Sequence, residues 1–390
     1  MFVLTSFNFL FYAVYSIIIF FLPLYLRAKG LMTVEVGLVM ATGALVSIFA
    51  QPFWGIISDR KKTVKRILLL IFFSAAIISI PLFLANNFLL ILILMFIFMF
   101  FLSAAVPLTD SLTYRYAQIK RKNFGSIRSW GEIGVAVSAL CVGLLIETIG
   151  IRYLGFIYVT LVFILLGLTS LVSDVENKVE PVTKEKVLHL FTNTKVIWFL
   201  FLVLLIAIPH RMNDSLLAIY LADLGAKESH IGRAWTVATL CTVPVLTGMA
   251  YLIRRFNEFA LFVIAGFMYS LRWILYSFAT EPITLIIFQI MHSLTFPVVF
   301  VSAITYLVRI IPDELRATGQ TMFAAIFGGV AGIIGSSVGG WIYDFYSPQA
   351  AYYSGSMLAL IGALASFLTY LSLVKDRRSK VGKSRKHEVL

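Results

Sequence analysis

Charge is scarce in this chain. Only 13% of its 390 residues are Asp, Glu, Lys or Arg, and the acids number just 19. Apolar residues take their place, at 60% of the chain and a mean hydropathy of +0.93. No soluble interior can hide that much apolar surface, so a soluble fold is excluded and a polytopic membrane protein is indicated. Cysteine is equally rare. Cys141 and Cys241 both fall inside apolar runs, which argues against a disulfide framework and leaves them as small core residues. No Gly-x-x-x-x-Gly-Lys-[Ser/Thr] segment occurs, which disfavours ATP-driven transport. No Cys/His cluster occurs either, and no cofactor or metal is expected.

Long polar segments are also missing, so nothing outside the apolar runs is large enough to be a separate soluble domain. A membrane-spanning helix needs about 20 mostly apolar residues. Runs of that length fall near 3–26, 34–57, 66–85, 88–114, 128–147, 152–172, 196–221, 230–252, 259–278, 283–308, 317–344 and 350–373, twelve in all. The first lacks a basic leader and a small-residue cleavage site, and reads as a retained span.

What charge there is has a pattern. Alternate connectors and the tail carry 24 of the 32 Lys and Arg, beginning with Arg60, Lys61, Lys62, Lys65 and Arg66. The opposite connectors show only Arg27, Lys29, Arg152, Lys227 and Arg233. The positive-inside rule therefore puts both termini and the long central connector in the cytoplasm, with the chain in the cytoplasmic membrane. The formal net charge of +13 is mostly this topology signal, with an added attraction to anionic lipid headgroups, and implies no nucleic-acid partner. The connector divides the chain into a first half, 1–172, the connector itself, 173–195, a second half, 196–373, and a basic tail, 374–390. A basic turn at Asp59 recurs weakly at Arg254-Arg255, as in a two-fold repeat that binds substrate at mid-membrane between halves.

Three basic residues remain at membrane depth, Arg128, Arg211 and Arg272. Asp110, Glu132 and Asp214 lie at similar depth, with His210 and His292 nearby. Each charge at the centre of a bilayer costs at least ~2.5–3.5 kcal/mol on insertion scales, so these groups need partners or a wet cavity. Arg128 and Glu132 are four residues apart and share a helix face. Structural pairing that merely holds helices together is the alternative. Trp130, Tyr12, Tyr15, Trp235 and Trp273 can stack on a ring, although aromatics in such helices more often pack.

Gln51-Pro-Phe-Trp-Gly55-Ile-Ile-Ser-Asp59-Arg60-Lys-Lys resembles the loop 2–3 signature of the major facilitator superfamily. That resemblance implies an all-α membrane protein with twelve helices in two pseudo-symmetric six-helix halves. It also implies that Gly55 allows close helix approach, while Asp59 and Arg60 belong to a conformational interface. Within the superfamily the whole chain is similar to the branch of lactose-permease-like and phenylpropionate-permease-like proton symporters. Gly125-Ser-Ile-Arg128-Ser-Trp-Gly looks like the start of helix 5 there, which places Arg128 on the substrate-binding Arg and Asp110 on its helix 4 partner. Ser270-Leu-Arg272-Trp and Gln289-Ile-Met-His292 are similar to helices 9 and 10, placing Arg272 and His292 on coupling positions. Asn213-Asp214-Ser resembles helix 7, with Asp214 in the charge network.

The departures are equally specific. The proton-carrying carboxylate of helix 10 falls on Thr295, its neighbouring Lys on Gln289, and the sugar-recognising acid of helix 8 on Thr239. The Trp that stacks on the sugar falls on Val135, and Arg211 stands where an acid is usual. Galactoside specificity is not supported, and coupling must use another acid, with Glu132 the first choice ahead of Asp110 and Asp214. The resemblance then implies a proton-coupled symporter importing a small organic solute: a sugar, a nucleoside or an aromatic carboxylate. Asp110, Arg128, Trp130 and Arg211 are expected to bind substrate. Glu132, Asp214, Arg272 and His292 are expected to couple protons. Substrate, proton and membrane lipid are the expected partners of a monomer. An exporter or flippase on the same fold stays open as an alternative. An intramembrane enzyme would need a nucleophile–base pair that the chain does not offer.

Overall fold

The computed structural model describes residues 1–174, 193–312 and 315–387. Among them are twelve helices long and apolar enough to cross a membrane. They are α1 Phe2–Ala28, α2 Thr33–Lys61, α3 Lys65–Leu84, α4 Phe88–Ile119, α5 Phe124–Ile149 and α6 Ile151–Leu171, then α7 Thr194–Asp223, α8 Glu228–Arg255, α9 Glu258–Ser277, α10 Pro282–Ile310, α11 Thr318–Phe345 and α12 Pro348–Lys375. Helical backbone continues beyond α12 to His387. Most of the 173–195 connector, residues 175–192, lies outside the described residues.

Local sequence sets the ends. Asn87, Asn123, Asn193 and Asn257 cap α4, α5, α7 and α9, each accepting from a backbone N–H two or three residues on. Gly30, Gly150 and Gly225 turn the chain with positive φ, where a side chain would be strained.

Besides α1, which breaks at Phe21 two residues before Pro23, three more of the helices that line the cavity described below are irregular. In α4 the backbone unwinds at Ser103 and Ala104, four and three residues before Pro107. A proline has no N–H to return to the carbonyl four back. The Ser103 carbonyl accepts from Gln51 Nε2 at 3.2 Å instead. In α10 a 3-10 turn, Gln289–Met291, interrupts the helix. In α11 a π-helical stretch, Ala325–Val330, does so; such insertions often accompany function.

The first six helices meet the last six most tightly at one end. An added Cβ at Gly37 of α2 would lie 2.2 Å from the Ser336 carbonyl oxygen of α11, and one at Gly232 of α8 would lie 2.2 Å from that of Ala139 in α5. Only glycine permits these backbone contacts, which are how membrane helices associate without a hydrophobic driving force. The same end is tied by Asp344, whose Oδ2 accepts from the Val34 N–H at 2.6 Å, and by Lys227 with Glu147 at 3.4 Å. Phe20 of α1 stacks on Trp235 of α8 just inside this seal, with centroids 4.1 Å apart. The basic connectors lie at the other end.

Candidate functional site

Between the halves is a cavity of about 680 Å³. It is shut at the glycine-packed end and extends toward Gln51, Ile304 and Gln320, of which Gln320 is exposed. Tyr12, Asp110 and Arg128 line one side; Arg211 and Asp214 line the other.

On the first side Arg128 of α5 is held between two carboxylates. Its Nε donates to Asp110 Oδ1 and its Nη1 to Glu132 Oε1, each at 3.0 Å. The Tyr12 hydroxyl donates to the same Asp110 oxygen at 2.7 Å. The Tyr12 ring lies under the guanidinium, 3.7 Å from centroid to Cζ. Gly131 makes room, because a Cβ there would sit 2.5 Å from the Tyr12 ring. One cation among two carboxylates leaves the group one negative charge in excess, in a site only partly open to water.

On the second side Arg211 of α7 pairs with Asp214 at 3.0 Å, one turn on. Its Nε donates to the Phe327 carbonyl at 3.1 Å, within the π-helical stretch of α11. Pro209 lies two residues earlier in the same helix.

Behind this wall Arg272 of α9 is completely buried. Among the described residues no carboxylate oxygen pairs with it. It donates instead to Gln289 Oε1 at 2.6 Å, His292 Nδ1 at 3.0 Å, Thr295 Oγ1 at 3.3 Å and the Tyr276 hydroxyl at 3.1–3.2 Å. A guanidinium only donates, so His292 Nδ1 is an acceptor and the ring is neutral. Its ring packs against Phe296 and His210, which also pack against each other.

The structure therefore joins Asp110, Arg128 and Glu132, and separately Arg211 and Asp214. Arg272 and His292 touch each other but do not line the cavity. Three cations do not match three acids one to one: Arg128 takes two, Arg211 one and Arg272 none. Trp130 is not brought to the site. It follows Arg128 by two residues, about 200° around the helix, and is 46% exposed on the outer surface. Gly55 makes no close approach, since a Cβ there would meet nothing within 4 Å. It lies toward the end where the halves are apart. Asp59 is within electrostatic reach of Arg115 on α4, and Arg60 is exposed.

Sequence reasoning did not find the double role of Tyr12 as clamp on Asp110 and floor under Arg128. Its spacing to Phe9, Ser16 and Ile19 on one face of α1 is the only local signal, and it is weak in so apolar a helix.

A family model described as the MFS_1 like family matches residues 1–354. The uncharacterized transporter YwbF of Bacillus subtilis (strain 168) is 27% identical over 349 residues, covering 89% of this chain and 86% of its own length. The maltose permease of Geobacillus stearothermophilus is 25% identical over 370 residues, covering 93% and 92%. Among solved structures, the nucleoside transporter NupG matches with a TM-score of 0.84 at 16% identity, over 94% of this chain and 98% of that one. At that identity the likeness is one of fold.

Proposed function

The chain belongs to the MFS_1 like family of major facilitator transporters, and on that premise we propose that it is a proton-coupled symporter importing a small organic solute. The chain is a multi-pass membrane transporter and not an enzyme. The observation that carries the finer reading is that Arg128, which lines the cavity with Asp110, is held by both Asp110 and Glu132, of which Glu132 stands one helical turn behind the lining. A substrate hydroxyl or carboxylate that engages Arg128 displaces one of its two carboxylates. The freed carboxylate then takes up a proton, because leaving water without a partner disfavours its charged form. Substrate and proton thus enter together, and the excess negative charge is neutralised before the cavity closes.

In this reading Asp110, Arg128 and Arg211 bind substrate and Glu132 carries the proton. Asp214 is a second acid on the opposite wall. Arg272 with the neutral His292 is a fixed positive group behind it, supporting the coupling acids and not itself exchanging protons. Positive-inside placement puts the basic connectors and both termini in the cytoplasm, so the cavity opens inward. Segments 1–172 and 196–373 then rock about the cavity, joined by 173–195, with Gly55, Asp59 and Arg60 closing the cytoplasmic end in the opposite state. The protein acts as a monomer in the cytoplasmic membrane, its basic rim against anionic headgroups.

A thermal-shift screen with sugars, nucleosides and aromatic carboxylates at two pH values tests this. A ligand of the native state at a hundred times its Kd stabilises by about 2.7 kcal/mol. The wild type should respond to one class, more strongly at the lower pH, and Arg128→Ala should not respond. An equal response in the variant would place binding elsewhere.

A further inference from the structure

Each wall of the cavity carries a charged pair, but the two differ in their aromatic lining. The α1, α2, α4 and α5 side presents Tyr12, Ser16, Ser47, Gln51, Asp110 and Arg128. Five phenylalanines line the cavity, and four of them, Phe296, Phe300, Phe323 and Phe327, come from α10 and α11. These four form one continuous patch. Ring centroids are 5.5 Å apart for Phe296 and Phe300, 5.5 Å for Phe300 and Phe323, 5.4 Å for Phe323 and Phe327, and 6.1 Å for Phe296 and Phe327.

The patch is built to stay in place. Phe296 lies nearly parallel to His210 on one contact and His292 on another, at 9° and 14°. His292 is anchored by Arg272, and His210 by the Tyr269 hydroxyl at 3.2 Å. Phe323 and Phe327 are buried, whereas Phe296 and Phe300 are only half-buried and keep open surface toward the cavity. Apolar rings facing a wet cavity are unfavourable unless something covers them. Lipid and core offered this chain ample other places for phenylalanine. Ligand sites combine such apolar lining with a few placed polar groups.

We infer that the substrate is a two-faced solute, with a hydroxylated or anionic head on Asp110 and Arg128 and a planar apolar body against Phe296 and Phe300. This rests on the cavity being the substrate site. It names what Asp110 and Arg128 alone leave open: an aryl glycoside, a nucleoside or an aryl carboxylate fits, whereas a small sugar without an apolar substituent leaves the patch wet. Phe296 and Phe300 thereby become determinants of specificity.

Matched pairs of probes test it on the purified full chain: adenosine against ribose, p-nitrophenyl against methyl β-glucoside, and phenylacetate against acetate. Binding is measured in the wild type, Arg128→Ala, Phe300→Leu and Phe300→Tyr. In at least one pair the ring-bearing member should bind at least about tenfold tighter, a margin that stacking on aromatic rings supplies. Phe300→Leu should remove most of that margin and leave the partner lacking the ring unchanged, while Phe300→Tyr should retain it. Arg128-dependent binding with no margin in any pair, or a margin intact in Phe300→Leu, overturns the inference and leaves the transport reading standing. If Phe300→Leu does not fold, the wild-type margin alone decides. No Arg128-dependent binding in any pair overturns both.

Discussion

Arg272 donates to Gln289 at 2.6 Å, and both are fully buried. A buried cation normally sits beside a carboxylate, because desolvation without a counter-charge is expensive. Here the ring of acceptors is neutral: Gln289, His292, Thr295 and Tyr276. Among the described residues the Nε2 of Gln289 itself has no hydrogen-bond partner. In the symporters this chain resembles, Gln289 and Thr295 stand where a Lys and the proton-carrying carboxylate would be. Arg272 therefore keeps its charge among neutral acceptors, while Asp110 and Asp214 are the acids that line the cavity.

Gln289→Glu should stabilise the protein. The glutamate keeps the acceptor for Arg272, supplies the missing charge and removes the unpartnered amide. A charge-assisted hydrogen bond contributes about 1.5–3 kcal/mol, so the melting temperature in detergent should rise by several degrees. A lower melting temperature would mean that Arg272 is already compensated.

Arg128→Ala and Asp110→Ala should each abolish uptake while leaving folded protein in the membrane. Each loses a charge-assisted hydrogen bond, about 1.5–3 kcal/mol, or roughly 10- to 100-fold in affinity. Uptake at wild-type rate in either variant, with expression matched, removes the pair from the substrate site.

Glu132→Gln separates binding from coupling. The amide keeps an oxygen for Arg128 but cannot release a proton. Substrate exchange across proteoliposomes should continue, whereas accumulation against a gradient should fail. Intact accumulation moves the carrier to Asp110 or Asp214.

Much of the fold is legible in the sequence, and for definable reasons. Long apolar runs have no other use than spanning, so the twelve helices follow from composition. Asn and Gly at the turns act locally and can be read locally. Rare charges in an apolar chain are conspicuous, which is why Asp110, Arg128 and Glu132 stand out in the sequence as they do in their 3.0 Å contacts. Helix phase alone also separates Trp130 from Arg128, yet a sequence motif groups the two as neighbours. The phenylalanine patch is invisible in the sequence, because a cavity-facing Phe and a lipid-facing Phe look alike among 34 of them. The neutral surroundings of Arg272 depend on which helices touch, and counting charges suggests a balance that geometry does not keep.

Asp344→Ala should loosen the sealed end. The carboxylate caps the first turn of α2 from α11, and a lost cap costs about 1 kcal/mol, or roughly a fivefold change in a two-state ratio. Spin labels at the exposed Tyr153 and Phe278 should report a larger share of long distances than in the parent protein. An unchanged distribution would make the contact incidental.

Proton-coupled import is decided by uptake into right-side-out vesicles or proteoliposomes under an imposed gradient. The solute identified by thermal shift is supplied outside, with the outside made acidic and then with the gradient collapsed by a protonophore. Proton-coupled import predicts accumulation above equilibrium in the first case, equilibration in the second, and no accumulation in Glu132→Gln under either. Equilibration whatever the gradient, or net extrusion of solute as protons enter, would contradict it.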